Sequence, residues 1–75
     1  MNITIKYCME WNYEPKAFSL KEELKNKFDI FRFEMIQSGG GIFEVEMDDK
    51  LIFSKKQLER FPNQGEIVKL IEDLQ

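Results

Sequence analysis

A two-layer α/β sandwich, with a four-stranded mixed sheet and two helices on one of its faces, is the fold this sequence predicts. Three observations predict it: several short segments alternate apolar and polar residues, two longer segments repeat apolar residues at helical spacing, and the order is strand, helix, three strands, helix. Each strand has a single apolar side, which suits a sheet covered on one face only.

From Asn2 to Tyr7, the residues Ile3, Ile5 and Tyr7 fall on one side and Asn2, Thr4 and Lys6 on the other, so this is the first strand. Cys8 to Glu14 break the alternation and read as a loop. Pro15 suits the first turn of a helix, where its missing N–H has no intrahelical partner. To about Phe28, the positions Ala17, Leu20, Leu24 and Phe28 form an apolar stripe flanked by Phe18, and lysines and glutamates cover the rest. Alternation returns at Phe31 to Ile36 and stops at Ser38-Gly39-Gly40-Gly41, a permissive turn. Ile42 to Met47 is a third strand, Asp48-Asp49 a tight turn and Lys50 to Ser54 the returning strand of a hairpin. Asn63 is placed to cap a last helix, with Glu66 completing a capping box and Ile67, Leu70, Ile71 and Leu74 forming its apolar stripe. The first strand, helix and second strand then make a right-handed crossover.

All 75 residues belong to one domain, 1–75, because a chain of this size cannot support two cores. With 43% hydrophobic residues, seven of them Phe, it has material for a core without disulfide or metal. Lys and Arg number 11 against 14 Asp and Glu, and the two signs are interspersed, so no basic patch invites nucleic acid. No stretch approaches the roughly 20 apolar residues of a membrane span, and the N-terminus alternates where a secretory leader would be continuously apolar. A cytoplasmic protein with no membrane partner is expected. The absence of histidine excludes the usual zinc sites and imidazole acid/base chemistry, and one cysteine cannot form an internal disulfide.

Elimination leaves Cys8 as the chemical candidate. A loop that leaves a strand and enters a helix gives a thiol backbone donors and a favourable dipole. Around it the sequence reads Tyr7-Cys8-Met9-Glu10-Trp11-Asn12-Tyr13-Glu14-Pro15, so Trp11 stands where a C-x-x-C pair has its second sulfur.

Tyr7-Cys8-x-x-Trp11-x-Tyr13-x-Pro15-x-Ala17 resembles the Y-C-x-x-C-x-Y-x-P-x-A opening of the selenoprotein W-like (Rdx) family. Ser38-Gly39-Gly40-Gly41-Ile42-Phe43-Glu44-Val45 resembles its G-G-x-F-E-V block, and Phe53-Ser54-Lys55-Lys56 with Arg60-Phe61-Pro62 its S-K-K and R-F-P block. The resemblance spans nearly the whole chain. It implies a thioredoxin-like βαβββα fold, a redox loop after the first strand, and exchange with glutathione or protein thiols, with no resident cofactor. Only Cys8 carries over from the redox pair, so the chemistry implied is that of a monothiol: glutathionylation, or oxidation to a sulfenic acid.

Each of these residues also has a plainer reading. Cys8 is either a monothiol centre or a small packing residue. Trp11 and Tyr13 either cover the sheet edge or, with Met9, form an apolar contact surface for a protein partner, which would make the domain a non-catalytic binding or regulatory module. The glycines lack the spacing of a phosphate loop and precede a strand, so Gly40 is either a plain turn residue or, where the resemblance sets that turn near Cys8, part of the binding site. Arg60 either prepares the last helix with Phe61 and Pro62 or holds a glutathione carboxylate through its fork.

Overall fold

A computed structural model of the chain describes residues 1–10, 13–30 and 32–74. The elements are β1 (Asn2–Cys8), α1 (Tyr13–Lys27), β2 (Arg32–Ser38), β3 (Phe43–Met47), β4 (Lys50–Ser54), α2 (Lys55–Leu58) and α3 (Glu66–Leu74). One four-stranded sheet has the order β2-β1-β3-β4. β1 runs parallel to β2, from Asn2 opposite Arg32 to Cys8 opposite Ser38, and antiparallel to β3, with Ile5 opposite Val45. The mixed α/β sheet expected from the alternation is therefore present.

The inward residues Ile3, Ile5, Tyr7, Phe43, Val45 and Phe53 are buried, and they meet Ala17, Leu20 and Leu24 of α1 and Ile67 and Ile71 of α3. Burying each of the larger aliphatic side chains stabilises the fold by roughly 1.5–3 kcal/mol. Across the open face run Thr4, Lys6, Glu44 and Glu46, where Lys6 and Glu46 pair at 3.1 Å and Ser54 donates to Glu44 at 3.2 Å. Among the described residues no helix is long and apolar enough to cross a membrane.

Several boundaries differ from those the sequence predicts. β1 continues through Cys8, because the Cys8 N–H donates to the Ile42 carbonyl at 2.9 Å and the ladder with β2 reaches Ser38. The cysteine thus ends a strand and does not lie in the following loop. α1 begins at Tyr13, two residues before Pro15: all N–H groups of a first turn lack intrahelical acceptors, so proline is tolerated throughout it. β2 runs on to Ser38 because β1 pairs with it residue for residue.

A third helix, α2, was not expected. Ser54 caps it by accepting from the Gln57 N–H at 3.4 Å, and Glu59 closes it in the left-handed conformation. The signal in the sequence is Ser-x-x-Gln, a capping pattern. α3 starts at Glu66, later than an Asn63 cap implies. The Glu66 N–H donates to the Asn63 carbonyl at 3.0 Å, forming a turn in which Gly65 takes φ +80°. Half of the expected capping box is made: the Glu66 carboxylate accepts from the Asn63 N–H at 2.8 Å.

The hairpin between β3 and β4 turns at Asp48 and Asp49, with φ of 50° and 70°. Both values belong to a type I′ turn, where the second position favours glycine. Asp48 is tied to the start of β1: its carboxylate accepts from the Asn2 N–H at 2.8 Å and its own N–H donates to the Asn2 carbonyl at 2.9 Å. Asp49→Gly is therefore expected to raise stability by about 0.5–1 kcal/mol in urea unfolding. Asp48→Gly should gain less than Asp49→Gly, because it deletes the carboxylate that holds Asn2.

Candidate functional site

The C-terminal end of β1 places Cys8 against the segment entering β3. The alternation of β1 would leave Cys8 half exposed like Thr4 and Lys6, yet it is 0% exposed. Its sulfur accepts from the Glu10 N–H at 3.4 Å. Met9, next in the chain, is 50% exposed. Trp11 and Asn12 lie outside the described residues, so the expectation for Trp11 has no structural account.

Tyr13 departs from the expected contact loop, for it opens α1 and is buried. Its ring meets Phe61 edge to face at 4.7 Å and 77°, and Phe61 meets Phe43 at 5.4 Å and 71°. The Tyr13 hydroxyl lies 3.7 Å from the position a Cβ on Gly41 would take. Gly41 also has φ +68°, a conformation that side chains rarely adopt, so the turn passes close to Tyr13 with glycine at this point. The turn and the Cys8 end of the sheet therefore meet, as the resemblance implies. Gly40 and Gly41, with Ile42, Lys55, Lys56 and Glu59, line a hollow at the same end.

Two lysines to which the sequence reading gave no place in a binding site border the aromatic cluster. Lys16 Nζ lies 4.8 Å from the Phe61 ring centre, and Lys55 Nζ lies 5.4 Å from Phe61 and 5.5 Å from Tyr13. Such contacts are worth about 0.5–1 kcal/mol each when exposed. The signal for Lys55 was its position after the Ser54 cap, which turns it back towards Phe61. Phe61 and Phe43 also floor a cleft between Pro15, Lys16 and Ser19 of α1 and the Pro62-Asn63-Gln64 segment.

Arg60 does not present a free fork. Its Nη1 and Nη2 donate to the two carboxylate oxygens of Glu66 at 2.7 and 2.8 Å, and Nη1 also donates to the Phe61 carbonyl at 3.1 Å. The bidentate carboxylate proposed for this arginine is supplied by the chain itself, which ties the Arg60-Phe61-Pro62 segment to the start of α3. The Arg60 hydrogen bonds, followed by the one from the Asn63 N–H, lower the Glu66 pKa to about 2. The same hydrogen bonding raises that of Arg60.

The model of the Rdx family matches residues 2–73. This chain belongs to the Rdx family. Among curated proteins, the cattle and mouse proteins named migration and invasion enhancer 1 (Bos taurus and Mus musculus) are each 27% identical over 71 residues. That alignment covers 95% of this chain and 62% of theirs, so the chain spans less than two thirds of the length of these relatives. A selenoprotein W-related protein from Vibrio cholerae is 28% identical, with a TM-score of 0.90 over 97% of this chain and 94% of the other. A Bordetella parapertussis structure superposes with a TM-score of 0.91 at 18% identity, covering 99% and 96% of the two chains, which shows the shared fold. The thioredoxin-like architecture of this Rdx chain follows.

The Arg60–Glu66 clasp is testable through pH. Because the folded Glu66 pKa of about 2 lies below its ordinary value of 4.5, the unfolded chain binds more protons in that interval and stability falls as the pH drops through it. Glu66→Gln should unfold at lower urea than the parent at pH 7. The gap should hold down to about pH 5 and close between pH 4.5 and 2. A gap unchanged at pH 2 would show that the carboxylate charge is not its source.

Proposed function

We propose that this chain is a redox-type thioredoxin-like protein of the Rdx family whose thiol chemistry is confined to Cys8 and depends on an opening that exposes its sulfur. The observation that carries the reading is the position of Cys8, at the end of the central strand, against Ile42 and with the Glu10 N–H on its sulfur. Here the family's redox loop begins.

The reaction that fits one sulfur is exchange with glutathione disulfide. The Cys8 thiolate attacks one sulfur of the disulfide, the protein–glutathione bond forms, and glutathione thiolate leaves. Trp11 supplies no second sulfur to resolve the adduct, so another thiolate must attack it and release Cys8. An oriented internal thiol can be worth an effective molarity of roughly 10⁵ M or more, and the millimolar thiols of a cytoplasm do not replace it. The adduct is therefore long-lived, which suits a reversible mark better than rapid turnover. Protein thiols are the other partners this exchange admits. Arg60, already bonded to Glu66, would have to exchange that carboxylate for one of glutathione; Lys55 and Lys56 beside Gly40 stand at the Cys8 end without such a cost in fork geometry.

Intact mass after incubation with glutathione disulfide is expected to show a single glutathione adduct, absent from Cys8→Ser. Its rate should level off as glutathione disulfide rises, because opening then limits the reaction. Trp11→Cys should form an internal disulfide and speed release of the adduct by an order of magnitude or more. A native protein that takes up no glutathione while its unfolded form reacts freely would overturn the proposal.

The complete burial of Cys8 beside half-exposed Met9 favours a second reading, a non-catalytic protein-binding or regulatory module. Tyr13 is buried, so this module would present Met9 and the loop it opens, not the Met9-Trp11-Tyr13 trio as a whole. On this reading Cys8→Ser keeps partner capture and Met9→Ala or Trp11→Ala loses it.

A further inference from the structure

We propose that two copies of this chain associate by antiparallel pairing of their β2 edges, with Met35 on the two-fold axis. The sheet order leaves β2 and β4 at its edges. β4 is short, begins with Lys50, and is bent by a register shift that leaves Ile52 without an opposite residue, all features that discourage edge pairing. β2 has none of these: its 7 residues, Arg-Phe-Glu-Met-Ile-Gln-Ser, contain no Lys, Pro or Gly, and they follow β1 without a shift. Among the described residues no strand pairs with its outer side.

The backbone decides which residues could bond there. The Arg32 N–H donates to the carbonyl of Met1, the residue just before β1, at 3.4 Å. Alternation along an extended strand then turns the backbone groups of Arg32, Glu34, Ile36 and Ser38 towards β1 and those of Phe33, Met35 and Gln37 outward. A two-fold axis at Met35 sets Met35 opposite its own copy and Phe33 opposite Gln37 of the partner copy, so every outward N–H and C=O finds a partner of the closely bonded kind.

Charge admits a second copy along this strand and disfavours the register one residue earlier. β2 carries one positive and one negative residue, Arg32 and Glu34, and is neutral in a chain of net charge -3, so a second copy meets no like-charge barrier along this strand. An axis one residue earlier would oppose the two Glu34 carboxylates directly, which is destabilising. With the axis at Met35, Glu34 faces Ile36 and Arg32 faces Ser38. Ile36 is 37% exposed in a row shared with Lys6 and Glu44, and this arrangement brings it diagonally against its own copy. One strand pair buries less than the roughly 1,000 Å² of a stable interface, so the dimer is weak and concentration-dependent.

Sedimentation of the wild-type chain from about 10 μM to about 1 mM, a range chosen for a weak complex, should show the average mass rising towards that of a dimer and no further. Ile36→Lys places two ammonium groups across the axis. Gln37→Pro removes an outward N–H that β1 does not use and adds a ring at the edge. Each should hold the chain monomeric at the top concentration with an unchanged far-ultraviolet dichroism spectrum. A wild type that stays monomeric, a dimer that survives both substitutions, or assembly beyond the dimer would each overturn the proposal.

Discussion

The ladder that holds β1 on both sides is the constraint from which the rest of this molecule is arranged. Ile3, Ile5 and Tyr7 project into the core, and the strand bonds β2 in parallel and β3 in antiparallel. Its two ends are tied to distant parts of the chain, Asn2 to the Asp48 turn and Cys8 to Ile42. Because the hairpin is fixed to the start of β1 and the glycine turn to its end, the position of Cys8 is set by long-range pairing and not by the loop that follows it.

That rigidity cuts against reactivity. A sulfur held at the end of a central strand is accurately placed, but the packing that places it also excludes reagents. The neighbouring cluster of Tyr13, Phe61 and Phe43 adds to the stiffness, since its edge-to-face contacts link α1, β3 and the segment before α3. Reaction of the native protein at Cys8 would require a local rearrangement with a lower free energy than global unfolding. The site is thus a stable frame with its one thiol on the closed side.

The strands and the two long helices were legible because apolar periodicity reports which face is buried, and that face is what the fold conserves physically. The end of β1 was not legible. Cys8 suits a strand end and a loop equally, and only its bond to Ile42, 34 residues on, decides between them. α2 was written in Ser54 and Gln57, but a helix of 4 residues has no stripe to count. The Arg60–Glu66 pair was hidden for a different reason: a spacing of 6 fits no helical neighbour rule and is closed by the turn in which Gly65 takes a positive φ. The convergence of Cys8 and the glycine turn came from resemblance, not periodicity.

Membership of the Rdx family and redox activity rest on different parts of this chain, and physics separates them. The fold is carried by the inward faces of the strands, α1 and α3. With Trp11 at the place of a second sulfur, Cys8 has no partner in this chain for dithiol exchange. Cys8 differs, because it belongs to both accounts: it fills a fully buried position in the core and accepts the Glu10 N–H through its sulfur. An alanine there would leave a void and deprive that N–H of its acceptor. Packing and that hydrogen bond therefore account for a cysteine at this position without any reaction at its sulfur.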